Sequence, residues 1–223
     1  MNAKSIFVFD WDGTIFDSMP VKTANFVTAF AAALRQTIPG WPREAIAEMY
    51  GELSGRPRRE IFDALLRRLG GEDQSASFEV FNAEFERRNL SELANAELFP
   101  DAVAYMRRLI SDNQRIFVSS SVPNKELETL VEAKLPKDIL ERIDGIFGSS
   151  AGFSKGESHV RRIEAMTSLP RATMIAYGDD IADFDLSSDA GIDCILIDRN
   201  GKLPDCSAPR VSSFFQLINW AQP

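Results

Sequence analysis

Ile6-Phe7-Val8-Phe9-Asp10-Trp11-Asp12-Gly13-Thr14 is the stretch whose reading decides the fold. Four consecutive apolar residues, Ile6 to Phe9, read as a short strand buried on both faces, the pattern of a parallel sheet. Two carboxylates, Asp10 and Asp12, appear where that strand leaves the core, and Gly13 lets the backbone turn sharply or a ligand come close. Ligands of parallel sheets sit beyond the carboxyl ends of the strands, so both acids are expected to face a crevice. Strand alternation sends Asp10 and Asp12 to the same side, with Trp11 pointing away. Like charges so placed repel unless a cation lies between them or one stays protonated. A divalent ion with oxygen ligands is the simplest resolution.

Outward from this stretch, the chain falls into two patterns. From Pro20 to about Asn95 there are four helical patterns and no convincing strand. Val27, Ala31, Leu34 and Ile38 recur at helical spacing, with Asp17 or Ser18 as the expected cap and Pro39-Gly40 as the stop. Trp41-Pro42 opens a second helix, Ile61, Leu65 and Leu69 mark a third ended by Gly70-Gly71, and Phe78, Phe81 and Phe85 mark a fourth. The segment from Gly51 to Pro57 reads as a loop, running into the basic cluster Arg56, Arg58 and Arg59. From Phe99 onward strands and helices alternate. Ile116-Phe117-Val118 is a strand ending in Ser119-Ser120-Ser121, with Pro123 starting a helix, and Gly145 to Gly148 is a weak strand. Met174 to Tyr177 leads into Gly178-Asp179-Asp180, and Cys194 to Ile197 is the fifth strand, followed by a closing helix from Phe214 to Trp220. This alternation predicts right-handed βαβ units in an α/β, doubly wound, Rossmann-like parallel sheet. The helical stretch is then an insert, which divides the chain into a core of residues 1–17 and 97–223 and an inserted domain of residues 18–96.

Composition bounds the function. The chain has 223 residues and a formal net charge of −8, which argues against a nucleic-acid or membrane-surface binder, for which a basic face is expected. Cys194 and Cys206 show no metal-type or redox-type spacing. No apolar run approaches the ~18 residues of a membrane span. The four-residue run before Asp10 does not resemble a signal peptide, so a cytoplasmic placement is expected.

The strand ends carry the chemistry. Asp10 and Asp12, the serine run, Lys155 and the acids Asp179, Asp180 and Asp183 are scattered in sequence but belong to one sheet edge. Convergent carboxylates suit Mg²⁺, and a hydroxyl and an ammonium opposite it would hold the oxygens of a phosphoryl group.

These motifs resemble the haloacid dehalogenase superfamily, in particular the phosphoglycolate phosphatase and β-phosphoglucomutase-like members with a helical cap. The DxDGT motif is met by Asp10 to Thr14 and its continuation by Asp17-Ser18. The Ser/Thr motif falls at Ser119 to Ser121, with Pro123 favouring Ser120 and leaving Ser119 as the alternative. The lysine motif falls at Lys155, and GDxxxD at Gly178, Asp179 and Asp183. The resemblance implies a Mg²⁺-dependent phosphatase acting on a small phosphorylated metabolite, with an inserted α-helical cap domain. It implies Asp10 as a nucleophile forming an aspartyl-phosphate and Asp12 as general acid and base. Ser120 and Lys155 would complete the catalytic set. The metal would be held by Asp10, Asp179 and the Asp12 carbonyl, with Asp180 and Asp183 as further ligands or support. Arg58 in the cap loop, and Ser121, are candidate substrate contacts. A sugar-phosphate mutase would use the same residues, and a phospho-receiver module pairs similar ones without so large an insert. The expected partners are a small phosphorylated substrate, no nucleic acid and no membrane, with the chain a monomer or weak homodimer. His159 matches no motif.

Overall fold

The computed structural model describes residues 4–34, 42–53, 56–70, 75–201 and 203–220. The chain divides into two compact units, one of Met1–Asp17 with Glu97–Pro223 and one of Ser18–Ala96.

The first unit is built on a wholly parallel six-stranded sheet. Its strands are β1 (Ile6–Phe9), β2 (Arg115–Pro123), β3 (Gly145–Ser149), β4 (Met174–Gly178), β5 (Asp193–Ile197) and β6 (Arg210–Val211). They lie in the order β3-β2-β1-β4-β5-β6, so the chain winds outward from β1 in both directions. In register, Phe9 lies beside Val118 on β2 and Tyr177 on β4. The apolar run of β1 is central because both faces are covered. Ile6 and Val8 pack with Phe117, Met174 and Ala176 against Val160 and Ile163 of a helix spanning Glu157–Thr167. The opposite face carries Phe9, Tyr177, Tyr105 and Phe214, whose ring centroids are 5.0–6.2 Å apart in the Phe9 pairs. Alternation thus gives each face a distinct partner, aliphatic on one and aromatic on the other.

Two features of this unit differ from the sequence expectation. The second strand does not stop at Val118, because β2 carries all three serines and Pro123, and the next helix, Asn124–Lys134, starts one residue later. Its extra length is held by β3, which pairs with it across a register irregularity between Ser119 and Pro123. Asn124 Oδ1 also accepts the Gly148 N–H at 2.9 Å. The sixth strand is two residues long, too short to leave an alternation in sequence.

Among its described residues the second unit holds four α-helices, α1 (Met19–Ala33), α2 (Arg43–Glu52), α3 (Arg58–Arg68) and α4 (Ser75–Glu92). Phe26, Phe30, Tyr50, Phe62, Phe81 and Phe85 form its core, with Phe26 stacked on Tyr50 at 4.2 Å. Ser18 occupies the cap position of α1 without a side-chain capping bond. Gly51 and Glu52, expected in a loop, belong to α2, and Arg58 is the first residue of α3 rather than a loop residue. The proposed stops at Pro39-Gly40 and Gly71, together with Ile38 and Trp41, fall outside the described residues. In the remaining helices of the first unit, α5 is Pro100–Ser111, α6 Asn124–Lys134, α7 Lys137–Leu140, α8 Glu157–Thr167, α9 Ile181–Asp189 and α10 Phe214–Trp220.

Candidate active site

β1 ends at Phe9, and Asp10 continues the ladder for one bond, its N–H donating to the Tyr177 carbonyl at 2.8 Å. The chain then turns. The Ile15 and Phe16 amides both donate to the Trp11 carbonyl, at 3.0 and 2.9 Å, and the Gly13 N–H donates to the Phe16 carbonyl at 2.8 Å. Because the strand has ended, alternation does not carry through to Asp12. The three carboxylates that converge are Asp10, Asp179 and Asp183, each offering an oxygen within 4.8 Å of the others. Asp12, expected beside Asp10, is near enough to raise its pKa but is outside that set.

Gly13 explains how Asp179 comes so close. Its φ is +76°, and a Cβ built on it would stand 1.9 Å from Asp179 Oδ2. The carboxylate fills the space a side chain would need. Thr14 Oγ1 adds a long 3.5 Å bond to Asp179 Oδ1.

Lys155 lies in the loop before α8 and its ammonium reaches Asp10 Oδ1 at 2.6 Å and Asp183 Oδ1. Asp183 spends its other oxygen on the backbone, accepting from the Asp179 and Asp180 amides at 3.1 and 3.2 Å. Asp180 caps α9, accepting from the Ala182 N–H at 2.9 Å, and its carboxylate is not among the converging three. Asp183 is therefore the pivot that ties the lysine to the turn carrying Asp179.

Burial dominates the electrostatics. Desolvation pushes the Asp10 carboxyl up to about 7 against the pull of Lys155, and Asp183 and Asp12 raise it further. Asp179 is driven well above the usual carboxylate range by burial and then by Asp10 and Asp183. Burial alone would pull the Lys155 ammonium down, but Asp10 and Asp183 outweigh it and hold the group charged.

Buried Asp10 and Asp183 and half-buried Asp179 crowd three carboxyl groups against one ammonium, and hard oxygen donors so placed are the donor set that Mg²⁺ takes. The cradle over Gly13 and the mutual repulsion of Asp10 and Asp179 both fit a cation held there.

The serines separate by face. Ser119 is on the side of α8, where its Oγ shares a 2.8 Å hydrogen bond with His159 Nδ1. Ser120 is buried, and its Oγ accepts the Val122 N–H at 3.3 Å, which leaves its own proton to donate. Ser121 is half-buried on the same strand. In the second unit Arg58 donates to Asn82 Oδ1 at 3.0 Å and its guanidinium stands 4.8 Å from the Phe85 ring centre.

Residues 7–188 match the family of haloacid dehalogenase-like hydrolases. The chain belongs to that family. This hydrolase is also 26% identical, over 95% of its length and 96% of the relative's, to an enolase-phosphatase of Marinobacter nauticus. An enolase-phosphatase of Cronobacter sakazakii is 24% identical over 93% of both chains. Among solved structures, one described as a predicted phosphoglycolate phosphatase of Haemophilus somnus superposes with a TM-score of 0.77 at 16% identity, covering 100% of both chains. CbbY of Rhodobacter sphaeroides, bound to xylulose-(1,5)bisphosphate, gives 0.74 at 19% identity over 96% of both chains. At these identities the structural likeness establishes the fold of the hydrolase.

Two contacts in the geometry were not legible in the sequence. His159 stands in no motif, and only its place four residues after Lys155, on the first turn of the following helix, sets it apart. Thr14 is inside the DxDGT run, yet its contact with Asp179 depends on a turn that spacing alone does not define.

Proposed function

We propose that this hydrolase is a Mg²⁺-dependent phosphatase of small phosphorylated metabolites, working through an aspartyl-phosphate on Asp10. The observation that carries the proposal is the buried cluster in which Lys155 links Asp10 to Asp183 while Asp179 lies against Gly13. Family membership and the phosphatase relatives support it. The relatives' names share only a small phosphorylated substrate, and that is the substrate class proposed. Among the described residues no helix is long and apolar enough to cross a membrane. Cys194 and Cys206 are both unpaired, which supports a reducing, cytoplasmic setting.

Asp10 and Asp179, with the Asp12 carbonyl by family likeness, would hold Mg²⁺, which when bound supplies positive charge to the substrate's phosphoryl oxygens. Lys155 orients the Asp10 carboxylate through Oδ1 and adds its own charge, so that a carboxylate can approach a phosphate dianion. An Asp10 oxygen forms a bond to phosphorus as the bond to the leaving oxygen breaks, and Asp12 gives that oxygen its proton. Ser120 donates its hydroxyl to a phosphoryl oxygen. Water then attacks the aspartyl-phosphate while Asp12 takes back a proton, releasing inorganic phosphate and restoring Asp10. The Ser18–Ala96 unit is proposed as the substrate-selecting cap.

The test is phosphate release from an aryl phosphate and from a panel of phosphorylated sugars and acids, with Mg²⁺ present and after chelation. Chelation is expected to abolish turnover and added Mg²⁺ to restore it, with hydroxylamine trapping a phosphoenzyme in the parent but not in Asp10→Asn. Full activity in excess chelator would sink the proposal.

A further inference from the structure

His159 lies beside this machinery and takes no part in the steps above. The residue is 1% exposed. It packs 4.5 Å from the Phe153 ring centre and 5.8 Å from that of Phe147 on β3. Nδ1 is bonded to Ser119 Oγ, and the Gly148 backbone also acts on the ring. An apolar ring would fill the slot between two phenylalanines but would offer no partner to the buried Ser119 hydroxyl. Packing alone therefore does not account for an imidazole here.

Its location gives the reason. Lys155 falls between Phe153 and His159 in sequence, so their ring contact closes a short loop around the lysine. Ser154 and Ser158 bracket it again, the Ser154 N–H donating to Ser158 Oγ at 2.8 Å and the Ser158 hydroxyl returning to the Ser154 carbonyl. The bond from Nδ1 then fastens this loop to Ser119, the residue before Ser120 and one position beyond the register pair Phe9 and Val118. Burial holds the imidazole down to about 4, with the Gly148 backbone opposing and the Lys155 charge assisting. It is uncharged at neutral pH and adds no second cation beside Lys155.

Resting on the phosphatase reading, we infer that His159 is a positioning residue, which through Ser119 sets the distance between the Lys155 loop and the serine strand across which a phosphoryl group is held. The Ser119–His159 bond is the strut between two groups that approach the substrate from different elements.

Five variants of the full chain test this by two readouts, binding of inorganic phosphate to the Mg²⁺-loaded protein and kcat on an aryl phosphate, alongside thermal melts. Ser119→Ala and His159→Phe are each expected to lower phosphate affinity and kcat by about 10-fold or more, the range seen when supporting hydrogen bonds at such sites are cut. The double variant is expected to be no worse than either single one, since both remove the same bond. His159→Asn, whose amide reproduces the Nδ1 position, is expected to restore both quantities to within about threefold of the parent, whereas His159→Gln, which reproduces Nε2, is not. A His159→Phe protein that melts lower yet keeps parental phosphate affinity and kcat would overturn the inference and leave His159 a packing residue. If His159→Phe does not fold, Ser119→Ala decides, and parental behaviour there overturns it equally. A parent protein that neither binds inorganic phosphate nor hydrolyses the aryl ester with Mg²⁺ would instead bring down the phosphatase reading, and this inference with it.

Discussion

Gly13 shows how much a single residue without a side chain can decide. With φ at +76° and Asp179 Oδ2 where a Cβ would stand, Gly13→Ala must strain the turn and displace the carboxylate. The backbone term alone is about 1–2 kcal/mol. Since Asp179 loses its place, the expected outcome is a fall of about 100-fold or more in kcat/KM, read by steady-state kinetics. A Gly13→Ala protein of parental activity would show that Asp179 is not held by this turn. Asp12→Asn separates the two acids of the same run. It is expected to retain Mg²⁺ binding but to lose turnover of esters with poor leaving groups, where a positioned acid contributes about 10²–10⁴-fold. His159 offers a pH test at the same scale. Its pKa is held at about 4 against an ordinary 6.5, so between those values the unfolded chain binds a proton that the folded one does not. Stability from this group is complete above about pH 6.5 and is lost as pH falls toward 4, by up to about 3 kcal/mol. Denaturant titrations of the parent and of His159→Asn should therefore shift relative to each other in that window, the variant gaining on the parent as the solution is acidified. A pH-independent difference would mean that the imidazole is not held neutral.

Helix α9 and strand β2 are where elements, rather than residues, prepare the site. Asp180 and Asp183 form a capping box at the start of α9, and the same Asp183 carboxylate engages Lys155. Helix start and carboxylate cluster are therefore one construction. Asp180→Ala is expected to cost about 1 kcal/mol as a lost cap, while Asp183→Ala also frees Lys155 and should remove activity. In the helical unit, Arg58 joins α3 to α4 through Asn82 and the Phe85 ring. A charged hydrogen bond and a cation–π contact predict a loss of roughly 1–3 kcal/mol in stability for Arg58→Ala. The comparison that matters is kcat/KM for a doubly anionic substrate against that for an aryl phosphate. Equal effects are expected of a residue that braces two helices, and a selective loss on the doubly anionic substrate would mark it as a substrate contact.

At the scale of the whole molecule, the proposed Mg²⁺ site would couple folding to ligand binding. A cation that binds only the folded chain stabilises it by RT ln(1 + [L]/Kd), about 2.7 kcal/mol at a hundredfold excess over Kd. Mg²⁺ is therefore expected to raise the parent's unfolding free energy, and Asp179→Asn to abolish that rise while relieving repulsion in the metal-free protein. Equal Mg²⁺ shifts in the two proteins would remove Asp179 from the metal site. The far end of the chain bears on the same loop. Asp101 accepts bonds from Arg199, Ser213 Oγ and the Phe214 amide. Arg199 in turn donates to the Thr14 carbonyl at 3.1 Å.

From the amino-acid order alone came the wholly parallel sheet, the four helical patterns between Pro20 and about Asn95 and the polar groups at the strand ends. Those features depend on local periodicity and on the rule that parallel strands share one functional edge, and both are written in nearest-neighbour spacing. Tertiary structure decided the rest. The serine run stays inside β2 because β3 pairs with it, a partnership that no window of β2 contains. Asp12 leaves the carboxylate cluster because β1 ends at Phe9, and Asp183 enters it because Lys155 and the turn amides converge there. His159 acquires Ser119 across forty residues and Thr14 acquires Arg199 across 185. Such bonds form only once the strands are in register, because their partners are set by distance in space, and sequence spacing carries no record of it.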